Sequence, residues 1–318
     1  MDIPTDSDVP FLTLHVLAQT VMDDPAQTVS PIGLLGLAPA TASELQHATD
    51  VRDYLTAEKV LLAEIARNPH SKGTAHLLAF AGQVYFLNRD YVGAAIAWKK
   101  SEAIIPLDPS LQFALAMAYI RMAHPDCARK LLEPLAAQNE KEALYPYWLG
   151  RLDYDDHLYN EAIRNFRHAI ELAPGMARAY DSLGLCYYYQ NENLAAIESY
   201  KKAIELERKL PHPSAWPYLD LAITLQFLDE LTEAEANLRE AIRFAPDFAK
   251  VHFQLGTVLE DLGRPETAIV ELHEAARLDN TYPEPHMAMA RIYHRLGQEA
   301  TAREEVQTYL RLHPHSVP

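Results

Sequence analysis

The chain has 318 residues, 49% hydrophobic and 23% charged, which is globular composition and excludes wholesale disorder. Lys and Arg number 28 against 44 Asp and Glu, a formal charge of −16 that excludes the basic footprint needed for nucleic acid. Eleven glycines argue against glycine-rich phosphate loops and turn-dense all-β folds, and two cysteines, Cys127 and Cys186, cannot build a disulfide framework.

In chain order, the first basic residue is Arg52, so the charged start of a secretory signal is missing. No uncharged run approaches the ~18 residues of a membrane span. A cytoplasmic chain without membrane insertion is expected. Residues 1–40 are punctuated by Pro4, Pro10, Pro25, Pro31 and Pro39 and read as an irregular segment. Phe11, Leu12, Leu14, Leu17 and Val21 make it too apolar for a solvated tail, so it is expected to cap the first helices or to lie in a groove as a built-in arm. Residues 41–74 read as a degenerate helical repeat with helix from about Glu44 to Ala66, because Ala57, Leu61 and Pro69 keep the spacing seen downstream.

Downstream, a period dominates. Ala94, Ala128, Ala162, Ala196, Ala234, Ala268 and Ala302 are spaced by 34, 34, 34, 38, 34 and 34. Twelve residues before each stands Gly or Ala, and four residues after each stands a large apolar group, as in Gly184, Ala196 and Tyr200. Each unit holds two helix-length stretches around a short polar turn. Small residues suit the points where paired helices approach closely, and the large residue fills the space beside them. Pro106, Pro174, Pro246 and Pro314 then stop the second helix of four units. One such pair cannot bury both apolar faces, so neighbours must stack. The units are read as 75–108, 109–142, 143–176, 177–210, 215–248, 249–282 and 283–316, with an insertion at about Pro211 to Ser214 that is either a tolerated loop or a bend.

The run Tyr180-x2-Leu183-Gly184-x2-Tyr187, then Ala196-x3-Tyr200, with Leu149-Gly150, Ala162-x3-Phe166 and Pro174 in the unit before, resembles the tetratricopeptide repeat family. The resemblance implies an all-α, right-handed solenoid. It departs from the pattern at Leu135, where a small residue is expected, and at Glu140, where Pro is expected.

Catalytic signals are missing. His252, His286 and His294 lack the spacing of HExxH and are read as packing histidines. Asp153, Asp155 and Asp156 are read as a solvated turn, since no calcium-loop spacing follows. No cofactor, metal or enzymatic activity is expected.

In this family the first helix of each pair lines the inner face. The columns that the resemblance places there give Gln83, Phe86, Phe113, Arg121, Tyr147, Trp148, Arg151, Tyr154, Arg178, Tyr188, Tyr189, Trp216, Phe227 and Phe253. So many aromatics either pack between helices or form a groove for a peptide with apolar anchors. The expected function is a non-catalytic scaffold or adaptor for a protein or peptide partner. The alternative is an assembly module acting through self-association as a homo-oligomer or through its convex surface.

Overall fold

The computed structural model describes residues 32–67, 69 and 72–313. Among them every regular element is helical, and the chain divides into two compact units, Met1–Leu152 and Asp153–Pro318. The first unit holds a 3-10 turn (Ile32–Leu35) and helices α1 (Pro39–Asp50), α2 (Tyr54–Arg67), α3 (Lys72–Leu87), α4 (Tyr91–Glu102), α5 (Pro109–Arg121) and α6 (Pro125–Gln138). Helix α7 (Leu144–Asp155) runs across the boundary. The second unit continues with α8 (Tyr159–Leu172), α9 (Ala177–Tyr189), α10 (Asn193–Glu207), α11 (Trp216–Phe227), α12 (Leu231–Phe244), α13 (Ala249–Asp261), α14 (Pro265–Leu278), α15 (Glu284–Arg295) and α16 (Glu299–Leu312).

Helix starts follow local chemistry. Pro39, Pro109, Pro125 and Pro265 open their helices, where a missing N–H costs nothing. Asp90 and Asp108 accept hydrogen bonds from the backbone N–H of Gly93 and Leu111 at 2.8 and 2.9 Å. Each hairpin turn contains one residue in the left-handed region: Arg52, Arg89, Ala123, His157, Asn191, Asp229, Gly263 or Gly297. The N–H that follows bonds five residues back, as in Glu230 to Leu225 at 2.8 Å and Arg264 to Leu259 at 2.9 Å. This closure satisfies carbonyls that the helix end would otherwise leave open.

The small and large columns of the period meet in space. A Cβ on Gly184 would stand 2.5 Å from the ring of Tyr200, and one on Gly256 would stand 2.7 Å from Leu272. The buried residues Ala162, Phe166, Ala196, Tyr200, Ala234, Leu238, Ala268 and Leu272 continue this core through the second unit. Within that unit the first helices α9, α11, α13 and α15 each touch the next, which gives one continuous helical face.

Two expectations need correction. The single helix expected over about 44–66 is a hairpin: the chain turns at Val51 to Asp53, Arg52 is left-handed, and Asp53 accepts from the N–H of Thr56 at 3.1 Å. Asp153 is buried and accepts from the amide of Asn165 at 2.6 Å, so only Asp155, at the end of α7, and Asp156, in the turn after it, are exposed. Most of the expected N-terminal cap or arm, residues 1–31, lies outside the described residues, as does Pro314. The part that is described packs. Ile32 and Leu35 are buried in a cluster with Leu45, Ala48, Ala57, Leu61, Leu77 and Phe80.

Candidate functional site

In the first unit, the expected inner-face side chains are mostly interior. Gln83, Phe86, Phe113, Tyr147, Trp148 and Arg151 are buried, with Trp148 only 1% exposed. Phe86 meets Tyr91 edge-on at 5.3 Å and also contacts Trp98, and Phe113 meets Tyr145 at 5.5 Å. Arg121 is half-buried, with its guanidinium 5.8 Å from the centre of the Tyr91 ring.

The second unit is different. Tyr154 is buried, Arg178, Tyr188, Tyr189, Trp216 and Phe253 are half-buried, and Phe227 is 63% exposed. The tyrosines form a connected series. Tyr159 stacks on Tyr189 at 5.4 Å and 7°, Tyr189 meets Tyr188 edge-on at 5.5 Å, and Tyr188 meets Phe227 edge-on at 6.3 Å. Such edge and offset arrangements suit the ring quadrupole and hold the aromatics as a rigid ledge. Phe227 is the last residue of α11. In the register of the repeat the same place is held by half-buried Leu87, Arg121 and Tyr189 and by exposed Asp155, Asp261 and Arg295, so Phe227 is the one fully exposed aromatic of this column among the described residues.

A polar ladder continues from the ledge along the first helices. Gln254 donates to Gln226, Gln226 donates to Asp261, and Glu260 receives both Arg291 and Arg295. Arg291 is bidentate, its Nε reaching Glu260 Oε1 at 2.9 Å and its Nη2 reaching Oε2 at 2.5 Å. Glu260 is buried while both arginines keep about half of their side chains exposed, at 56%. The face therefore passes from aromatic to amide to charged, with side chains already held in place.

Trp216 and Phe253 sit in two further aromatic pairs. Trp216 meets Phe248 at 4.8 Å and carries Lys250 Nζ 5.6 Å from its ring centre, and Phe253 meets Tyr282 at 5.3 Å. Burial pulls the Lys250 ammonium down to about 8, against the attraction of Glu284, Asp220 and Asp279. Burial also raises the Tyr282 hydroxyl. Tyr159, Phe248 and Tyr282 were not among the expected site residues. They lie at helix starts and turns rather than in the inner-face columns; Phe248 and Tyr282 stand one 34-residue period apart and Tyr159 two periods after Tyr91, a recurrence that could have marked them.

Among the described residues, no group of His, Cys, Asp and Glu is placed to hold a metal ion, and no helix is long and apolar enough to cross a membrane. His252 and His286 serve packing, paired with Glu271 at 2.8 Å and Glu305 at 2.6 Å.

Three tetratricopeptide repeat models match residues 175–247, 219–283 and 259–318. Residues 175–318 of this chain are thus tetratricopeptide repeats. It is similar to anaphase-promoting complex subunit 3 of Schizosaccharomyces pombe (strain 972 / ATCC 24843), 25% identical over 209 residues. That match covers 64% of this chain and 29% of the relative, so it spans less than a third of that protein. Among solved structures, a tetratricopeptide repeat protein from Parabacteroides merdae ATCC 43184 superposes with a TM-score of 0.65 at 15% identity, covering 80% of this chain and 97% of that one. The Cut9–Hcn1 hetero-tetramer of the APC/C gives 0.61 at 17% identity, covering 78% and 48%. The type IV pilus biogenesis factor PilW gives 0.59 at 18%, covering 65% and 94%. These likenesses establish the all-α helix-hairpin fold.

Proposed function

We propose that this tetratricopeptide repeat chain is a non-catalytic, cytoplasmic interaction scaffold that holds a peptide segment of a partner protein along the first-helix face of its second unit. The observation that carries this reading is Phe227, an exposed aromatic backed by Tyr188, with the half-buried Tyr189 at the same register position of the preceding repeat. Large exposed aromatics on a preordered base are anchors of the kind that dominate interface energetics. The adjacent amides Gln226 and Gln254 offer donors and acceptors to an extended backbone, and the Arg291–Arg295 end suits an acidic flank. Membership of a family of repeat scaffolds and similarity to a subunit of a multi-protein complex support the same reading. The buried residues expected in the first unit are left out of the docking surface, because a ligand would have to displace packed helices to reach them.

The test has two steps. A photoreactive phenylalanine at position 227, with one at exposed Val270 on α14 as control, identifies the partner by cross-linking and mass spectrometry. Tyr188→Ala with Phe227→Ala should then weaken binding of that partner by about 2 kcal/mol or more, with helical content unchanged. Equal cross-linking at both positions, or an unaltered affinity, would overturn the reading.

A further inference from the structure

A second surface of this chain stands apart from the first-helix face. Between the second helices α10 and α12 the structure has an open groove of about 500 Å³, lined by Lys201, Ile204, Glu205, Arg208, Lys209, Leu221 and Asn237. Its apolar floor is formed by Ile204 and by Leu221 of the intervening α11, both buried. Three cations and one carboxylate line its walls, and the carboxylates Glu233 and Glu240 stand just beyond them.

The groove lies at the one irregular step of the 34-residue period. Residues 208–215 join α10 to α11, whereas the shorter segments 173–176 and 245–248 join α8 to α9 and α12 to α13. The longer link is pinned: the N–H of Ser214 donates to the buried Glu207 carboxylate at 2.7 Å. Arg208 and Lys209 belong to this link, just before the insertion at Pro211 to Ser214, so the link supplies two of the three cations.

The cations have intramolecular partners that leave them accessible. Lys201 pairs with Glu233 at 2.9 Å, Lys209 with Glu205 at 2.9 Å, and Arg208 donates to the Tyr218 hydroxyl at 2.8 Å while standing 3.9 Å from Glu240. Their side chains remain 53%, 64% and 60% exposed. Exposed ion pairs contribute little net stability, so an incoming oxyanion exchanges with them at small cost. Lysine ammonium groups turn freely toward a new anion, and the Asn237 amide, which gives one N–H to the Glu233 carbonyl at 2.8 Å, has a second to offer.

We infer that the α10–α12 groove is a second docking site, for an acidic segment of a partner protein that places an apolar side chain on Ile204 and Leu221 and carboxylates between Lys201, Arg208 and Lys209. A long polyanion is disfavoured by the charge of the whole chain, whereas a short acidic segment matches the size of the groove and reaches its three exposed cations. The site goes beyond the scaffold reading above, and the two fail separately.

The experiment is fluorescence anisotropy of a labelled Glu-rich peptide with one central leucine, titrated with the full chain. A second peptide replaces one Glu with phosphoserine, and a third replaces every Glu with Lys. Binding is expected for the first two, weakening with added salt, and absent for the third. Lys201→Gln with Lys209→Gln should weaken it about tenfold while Phe227→Ala leaves it unchanged. Circular dichroism shows that the variants keep their helical content. Tighter binding of the phosphoserine peptide would assign the oxyanion to phosphate; equal or weaker binding would assign it to carboxylate. The inference is overturned if neither acidic peptide binds, if the lysine variant binds as well as the parent, or if Phe227→Ala causes the loss instead.

Discussion

At the scale of single residues, the hairpin turns hold the least expected chemistry. The eight hairpin turns each hold one left-handed residue, and of these only Gly263 and Gly297 are glycines. A side chain in this region crowds the following carbonyl and costs about 1–2 kcal/mol. The turn bonds onto the helix end offset that cost, which is why Ala123 at φ +57° and Asp229 at φ +63° persist. Both are exposed. Ala123→Gly and Asp229→Gly should therefore each stabilise the protein by up to about 1 kcal/mol, since the relief of crowding exceeds the added freedom of the unfolded chain. Urea denaturation checks this. A loss of stability in both variants would show that the turns are not strained. The turns were legible in the sequence but their left-handed conformation was not, because Arg, Ala, His, Asn and Asp carry no common signal there. The closing bonds, not the residue type, impose the conformation.

At the scale of helices, the repeat is expressed as paired contacts one period apart. His252 on α13 bonds Glu271 on α14, and 34 residues later His286 on α15 bonds Glu305 on α16. The Glu271 carboxylate beside His252 raises its affinity for a proton, and the second ring nitrogen faces the Pro246 carbonyl at 2.9 Å. Two acceptors around one ring favour the imidazolium, in which both nitrogens donate. A raised folded value means that the native state binds the proton more tightly than the unfolded chain. The resulting stability is complete below the ordinary histidine value of 6.5 and fades as pH rises through the raised one. Melting temperatures of the parent and His252→Gln should accordingly differ more at about pH 6 than at about pH 8. A gap that widens toward high pH would contradict the assignment. Helix existence and pairing were legible because small and large columns recur in one register, and Gly184 against Tyr200 shows the columns meeting. The surface was only half legible. Sequence columns place Trp148 and Phe227 alike on an inner face, yet one is buried and the other exposed. Burial depends on what the neighbouring helix brings opposite, and a single-chain period does not encode that.

At the scale of the whole molecule, connectivity governs how damage spreads. In the second unit each helix touches its sequence neighbours, and each first helix touches the next first helix; contacts beyond that range are not among the substantial ones. Stability in such an array is a sum of local and nearest-neighbour terms, so a local fault should stay local. Gly184→Leu provides the fault. A leucine there drives into Tyr200, which is fully buried and has no room to turn aside, and the cost is ~1–3 kcal/mol or more. Hydrogen exchange followed by mass spectrometry should show the largest loss of protection in α9 and α10, a smaller loss in α8 and α11, and little change in α15 and α16. The loss should also be deeper than that caused by Gly175→Ala, because a Cβ at Gly175 meets nothing within 4 Å. If Gly184→Leu instead lowers protection equally from α8 to α16, the second unit unfolds as a single cooperative body and the nearest-neighbour description fails. A graded loss would mean that the two proposed docking surfaces, carried by α9–α11 and by α10–α12, soften together when this one contact is broken, while the Glu260–Arg291–Arg295 cluster toward the C-terminal end keeps its order.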